Sequence, residues 1–187
     1  MTALLTHPLL VGRRGQKALR VLAGIAMMAG FVLITFTVLL RFAGSWGVPY
    51  FDFTSERGSK CTNSFTGYVC SPTTLAEVEF HADIDLPDDT RVIEGTYQST
   101  HDYRLEALLE VPPASADAAL KSLIEAFGPC ISSQPSPLDT DGLEQLCTMA
   151  TLDAFNGSGE PASRLYVVGT GVREDGARPI SMTIRSR

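Results

Sequence analysis

Twenty consecutive residues without a charge, VLAGIAMMAGFVLITFTVLL from Val21 to Leu40, constrain this chain more than any other feature. As a helix rising about 1.5 Å per residue, the run reaches roughly 30 Å, the thickness of a bilayer's hydrocarbon core. A helix that is apolar on every face does not suit the surface of a small soluble domain. The run therefore predicts one transmembrane helix over 21–40, with a short tail at 1–20 before it. The small residues Ala23, Ala26, Ala29 and Gly30 fall near one helical stripe, the ordinary composition of a membrane helix.

Charge sets the expected direction. Arg13, Arg14, Lys17 and Arg20 precede the run, and no acidic residue does. In the fifteen residues after it the only basic one is Arg41. Lys and Arg near a span stay on the cytoplasmic side, so the tail is expected inside and the remainder outside the cell membrane. Phe42, Trp46, Tyr50, Phe51 and Phe53 follow the run, and Trp46 and Tyr50 suit an outer headgroup layer. The competing reading is a signal peptide cleaved near Ala43-Gly44-Ser45. The run is longer than the roughly 7–15 residues of a signal h-region, which favours the retained anchor.

Residues 41–187 are enough for one domain with its own core. They hold 21 acidic and 11 basic residues, a balance of −10 that disfavours nucleic acid as a partner. They also hold all four cysteines, Cys61, Cys70, Cys130 and Cys147, on the side where thiols oxidise. Four cysteines allow three pairings. Each doubling of loop length costs about 0.6 kcal/mol in closure entropy, so joining Cys61 to Cys147 instead of Cys70 adds roughly 2 kcal/mol. Spacing ranks Cys61–Cys70 and Cys130–Cys147 first. Zinc needs closer Cys or His pairs than C-x8-C, C-x16-C and the scattered His7, His81 and His101, and no C-x-x-C is present. No metal and no cofactor are expected.

Residues 41–74 read as a membrane-proximal linker rich in Gly, Ser and Thr. Within it the loop CTNSFTGYVC, closed by a disulfide, would present Phe65 and Tyr68 as contacts for a partner. The domain proper is expected at 75–187. Val78, Phe80, Ala82 and Ile84 alternate with polar residues and predict a first strand. Arg91–Gln98 predicts a second. Tyr103, Leu105, Ala107, Leu109 and Val111 predict a third, with turns at Pro87–Asp89 and Ser99–Asp102. Ser115 is placed to cap a helix whose stripe is Ala116, Ala119, Leu120, Leu123, Ile124 and Phe127, ended by Gly128-Pro129. A helical turn is expected around Gly142–Leu146. Thr148–Phe155 fits a strand, with a short helix as competitor, and the turn signal Asn156-Gly157 favours the strand. Leu165–Gly171 and the Ile180, Met182, Ile184 alternation complete the pattern around an Asp175-Gly176 turn. The fold class is α+β: an antiparallel βββ-α-βββ sheet domain with one amphipathic helix on it.

The block DIDLPDDTRVIEGTYQSTHDYRLEALLEVPPASADAAL, Asp83 to Leu120, resembles uncharacterised single-pass envelope proteins of actinobacteria. The resemblance implies an extracytoplasmic location in a bacterial envelope and carries no catalytic motif.

The residues that could suggest chemistry have simpler explanations. Ser99, His101 and Asp102 share one tight turn, which does not converge a nucleophile, a base and an orienting group. Asp83, Asp85, Asp88 and Asp89, and the run Asp139, Asp141, Glu144, lack a full calcium loop. Asn156-Gly157-Ser158 matches a glycosylation sequon but also reads as turn chemistry. The function expected is a non-catalytic, membrane-anchored extracytoplasmic domain that binds a protein, as an accessory or assembly subunit of an envelope complex. The alternative is a small-molecule or lipid binder using the sheet and helix as a cleft.

Overall fold

A computed structural model describes residues 13–131, 133–151 and 164–186. The chain divides into two compact units, Met1–Ala43 and Gly44–Arg187.

The first unit is a helix, α1, over Arg13–Phe42. Its stretch Gln16–Phe42, 27 residues, is long and apolar enough to cross a membrane, with its side chains exposed. The Thr37 hydroxyl donates to the Leu33 carbonyl at 2.8 Å, so a polar group within the apolar run is satisfied inside the helix.

The second unit is an eight-stranded sheet, antiparallel throughout, with two helices on one face. The strands are β1 (Asp52–Thr54), β2 (Lys60–Ser64), β3 (Gly67–Cys70), β4 (Arg91–Ser99), β5 (Tyr103–Val111), β6 (Leu143–Ala150), β7 (Arg164–Arg173) and β8 (Arg178–Ser186). Their order across the sheet is β1-β2-β3-β4-β5-β8-β7-β6. From β5 the chain crosses by a 3-10 turn, Pro113–Ser115, and helix α3, Ala116–Phe127, to the far edge at β6. It then meanders back until β8 pairs with β5. Two meanders thus meet along the β5–β8 seam, where Leu105 faces Ile184, Ala107 faces Met182 and Leu109 faces Ile180. All six side chains are buried, because alternate residues of each strand turn to the helix-covered face.

The stretch expected as the first strand is a helix, α2, over Leu75–Ala82. The period-two spacing of Val78, Phe80, Ala82 and Ile84 misleads here. Thr74 caps the helix by accepting from the Glu77 N–H, and Asp83 ends it in the left-handed conformation at φ 55°. Val78 and Ala82, four apart, are buried on one stripe, while Phe80 is 58 % exposed. The domain therefore has two helices on its sheet, not one, and three short strands precede them. β1, β2 and β3 lie in the stretch expected as a linker. Asn63 ties them down, its side-chain N–H groups donating to the Gly44 carbonyl at 2.6 Å and the Phe51 carbonyl at 3.2 Å.

Three further local expectations change. Ser115 makes no side-chain cap bond, and its hydroxyl donates instead to Asp89 Oδ2 at 2.7 Å. Gly142–Leu146 is not a helical turn. β6 begins at Leu143 and is bulged at Gln145, where φ is 48°. Thr148 to Ala150 belong to this strand. Leu152–Phe155 and Asn156-Gly157-Ser158 lie outside the described residues. β7 and β8 form the expected hairpin, with Gly176 at φ 83° donating to the Arg173 carbonyl.

Candidate functional site

The four cysteines form two disulfides, Cys61–Cys70 and Cys130–Cys147. The first links directly opposed residues of the β2–β3 hairpin, with Cα atoms 3.9 Å apart. The Lys60 carbonyl accepts from the Ser71 N–H, so the neighbouring Cys61–Cys70 position is a non-hydrogen-bonded pair, the closer of the two antiparallel spacings. The second disulfide closes a loop that lies over the sheet face opposite the helices. Pro137 sits so near Gly169 that a Cβ there would come within 2.4 Å of the proline ring.

The hairpin separates its two aromatic residues. Phe65 is at the tip and 78 % exposed, and its ring meets the edge of Tyr50, itself 73 % exposed, at a centroid distance of 5.3 Å. Tyr68 turns inward, edge-on to Phe53 at 5.4 Å and tilted against Tyr97 at 5.9 Å. Phe65 and Tyr68 therefore do not form one surface. The outward partner of Phe65 is Tyr50, whose N–H donates to the Asn63 carbonyl at 2.8 Å. The pairing of Asn63 with the 44–51 segment, continued by the β1–β2 register, brings these rings together. The sequence signal for it is weak, since Tyr50 is separated from Phe65 by two strands.

A polar cluster lies under α2. Glu77 is only 2 % exposed. Its carboxylate accepts from the Ser55 hydroxyl at 2.6 Å and faces His81 Nε2 at 3.0 Å. The imidazole stacks on the Tyr97 ring, with Tyr103 a further 6.1 Å away. Burial pulls the His81 pKa below 6.5, even though the bond to Glu77 and its negative charge push the other way; the Arg57 charge pulls it down further. Burial also pushes the Tyr97 hydroxyl up to about 12. These are Ser, Glu and His, but in the wrong order for acyl transfer. The Ser55 hydroxyl meets the Glu77 carboxylate and not the imidazole, which is not the Ser–His–acid order of an acyl-transfer triad. The arrangement works as a strut joining the β1–β2 loop to α2. Ser59 and Thr74 extend it, with their hydroxyls 3.2 Å apart and Thr74 Oγ1 donating to the Arg57 carbonyl at 2.8 Å.

The other suspected constellations are turn chemistry. Around Ser99, His101 and Asp102 the bonds run from the Thr100 N–H and hydroxyl to the Asp102 carbonyl. Asp139 Oδ1 accepts from the Asp141 N–H at 3.2 Å. Among the described residues no group of three or more His, Cys, Asp or Glu side chains could hold a metal ion.

The face of the sheet away from the helices carries a groove. Glu94, Leu108 and Ser181 line both of its adjoining hollows, of about 300 and 510 Å³. Thr96, Glu106 and Thr183 floor the first, and Pro137, Asp139, Asp141 and Arg173 wall the second. Arg104 pairs with Glu106 and Arg173 with Glu110, leaving Glu94, Asp139 and Asp141 to give the groove a negative balance. This face was legible as the polar half of each alternating strand. The groove itself was not, because it needs the loop before Leu143 to fold across β7.

No protein family model, no curated protein and no solved structure matches the chain.

Proposed function

We propose that this protein is a non-catalytic, membrane-anchored domain that holds a protein-binding surface at the outer face of a bacterial cell membrane, as an accessory or assembly subunit of an envelope complex. The apolar stretch Gln16–Phe42 supports the anchor. Arg13, Arg14, Lys17 and Arg20 before the charge-free run Val21–Leu40 and an acidic domain after it support a cytoplasmic N-terminus. The two disulfides support an oxidising, extracytoplasmic setting for residues 44–187.

The observation that carries the binding role is the groove on the uncovered sheet face. Its acidic walls, with Leu108 between them, suit a basic segment of a partner protein. Affinity purification of the full chain in mild detergent tests this. A partner should co-purify with the native protein and be lost from the double variant Glu94→Lys, Glu106→Lys, whose thermal unfolding should match the parent. A protein that runs alone at every expression level contradicts the reading.

The volume of the larger hollow, about 510 Å³, favours a second reading, a small polar ligand in the same groove. Native mass spectrometry of the detergent-solubilised chain distinguishes it by a retained small mass that the same double variant loses.

A further inference from the structure

Phe42–Phe51 and Cys61–Cys70 carry no charge, although the chain after the apolar run is acidic. The fold brings them together. Asn63 bridges them through its side chain to the Gly44 and Phe51 carbonyls, and its own carbonyl receives the Tyr50 N–H. On the surface so built, Tyr50 and Phe65 stand outward as an edge-to-face pair, with Trp46 and Val48 exposed in the same segment. Tyr50 is held at φ 67°, a conformation that a non-glycine residue keeps only where its surroundings over-determine it. The Cys61–Cys70 disulfide closes the hairpin that carries Phe65. This is a positioned aromatic surface, and its first segment follows the apolar helix directly in the sequence.

Chain length limits what can cover it. Tyr50 is eight residues past Phe42, a span of at most about 29 Å if fully extended. The turns closed by Gly47 N–H to the Gly44 carbonyl and Phe51 N–H to the Val48 carbonyl shorten that reach. The headgroup layer on one side of a bilayer is roughly 5–7 Å deep, and Trp and Tyr concentrate there. We infer that the Tyr50–Phe65 pair seats in the headgroup layer of the outer leaflet, making the stapled hairpin a second membrane contact that fixes the domain against the bilayer. Uncharged composition, an apolar ring beside a phenol, and continuity with the end of the span all match lipid better than a protein surface. The inference rests on the anchored reading above.

The chain has one tryptophan, Trp46, which makes a clean optical test possible. The full chain carrying Trp46→Phe and Phe65→Trp is reconstituted into phosphatidylcholine vesicles, with spin-labelled lipid quenchers placed near the headgroup or deep in the acyl chain. The same background with Tyr50→Trp reports the second ring, and Ile93→Trp, an exposed site on β4, is the aqueous control. The probes at 65 and 50 should emit at shorter wavelength than the control and be quenched at least twofold more by the shallow label than by the deep one. Water-like emission from both probes without quenching, in protein that stays in the bilayer through an alkaline wash, overturns the inference and leaves the anchor standing. So does protection of both probes only when a co-purified protein is added. Protein released by the wash overturns the anchored reading and this inference with it.

Discussion

The His81 imidazole lies flat on the Tyr97 ring, with centroids 3.6 Å apart and planes 11° from parallel. At the edge of the imidazole, Nε2 meets the buried Glu77 carboxylate at 3.0 Å. Burial dominates over that carboxylate and keeps the native imidazole less basic than in the unfolded chain, where its value is 6.5. Between the native value and 6.5 the unfolded state therefore binds more protons. Stability from this group is complete above the unfolded value and is lost as pH falls through the window below it. Thermal unfolding midpoints should drop as the pH is lowered from above 6.5 to below it, and His81→Gln should flatten that part of the profile. A native protein that gains stability over this interval contradicts the assignment.

Arg178 is a buried cation without hydrogen-bond partners for Nε and Nη1 among the described residues, and it is 1 % exposed. It sits opposite Val111 across the β5–β8 seam, on the helix-covered face, where Asp117 in the first turn of α3 is the acidic group that favours its charge. Burying a charge that is incompletely paired is costly, and an apolar side chain of similar length removes that cost. Arg178→Met should be neutral or stabilise the domain by about 1–4 kcal/mol in urea unfolding. Arg178→Ala should be less stable than Arg178→Met because it leaves a void. A loss of stability in Arg178→Met as large as in Arg178→Ala would show that the guanidinium holds the region together.

Thr74 is the start signal for α2. Its hydroxyl oxygen accepts the Glu77 N–H at 3.3 Å while donating to the Arg57 carbonyl. Thr74→Ala should cost about 1–2 kcal/mol, and Thr74→Ser should recover most of it. Equal stability of the two variants would remove the cap from the account.

That helix also marks where the sequence was hard to read. Thr74-Leu-Ala-Glu77 has the spacing of a capping box, but the apolar residues at 78, 80, 82 and 84 have the spacing of a strand. The conflict is resolved by Phe80, which does not join the core and so breaks the alternation. The Glu77–His81 contact, four residues apart, exists only once that segment is helical. β5 was legible residue by residue, because Leu105, Ala107, Leu109 and Val111 are all buried and their neighbours face water or the groove. β2 and β3 were hidden because small polar residues dominate them and a disulfide does what apolar contact does elsewhere. The exposure of Phe65 was legible from its place in the loop, whereas its pairing with Tyr50 depends on tertiary register set by Asn63.

The Cys130–Cys147 disulfide spans 17 residues and encloses the loop that carries Pro137, Asp139 and Asp141 of the groove. Constraining a loop of that length in the unfolded chain stabilises the native state by about 3 kcal/mol on the chain-entropy model. The double variant Cys130→Ser, Cys147→Ser should lose about that much by urea unfolding. It should also lose groove-dependent co-purification before it loses secondary structure. Retained stability and retained partner binding would show that the loop needs no staple.

The most direct test of the account is the location of the C-terminal domain relative to the membrane. Intact cells expressing the full chain with a C-terminal tag are treated with a protease that cannot cross the membrane. The account predicts that the tag is lost, while a fragment containing residues 13–42 survives in the membrane fraction. A tag that resists digestion until the membrane is dissolved would contradict it.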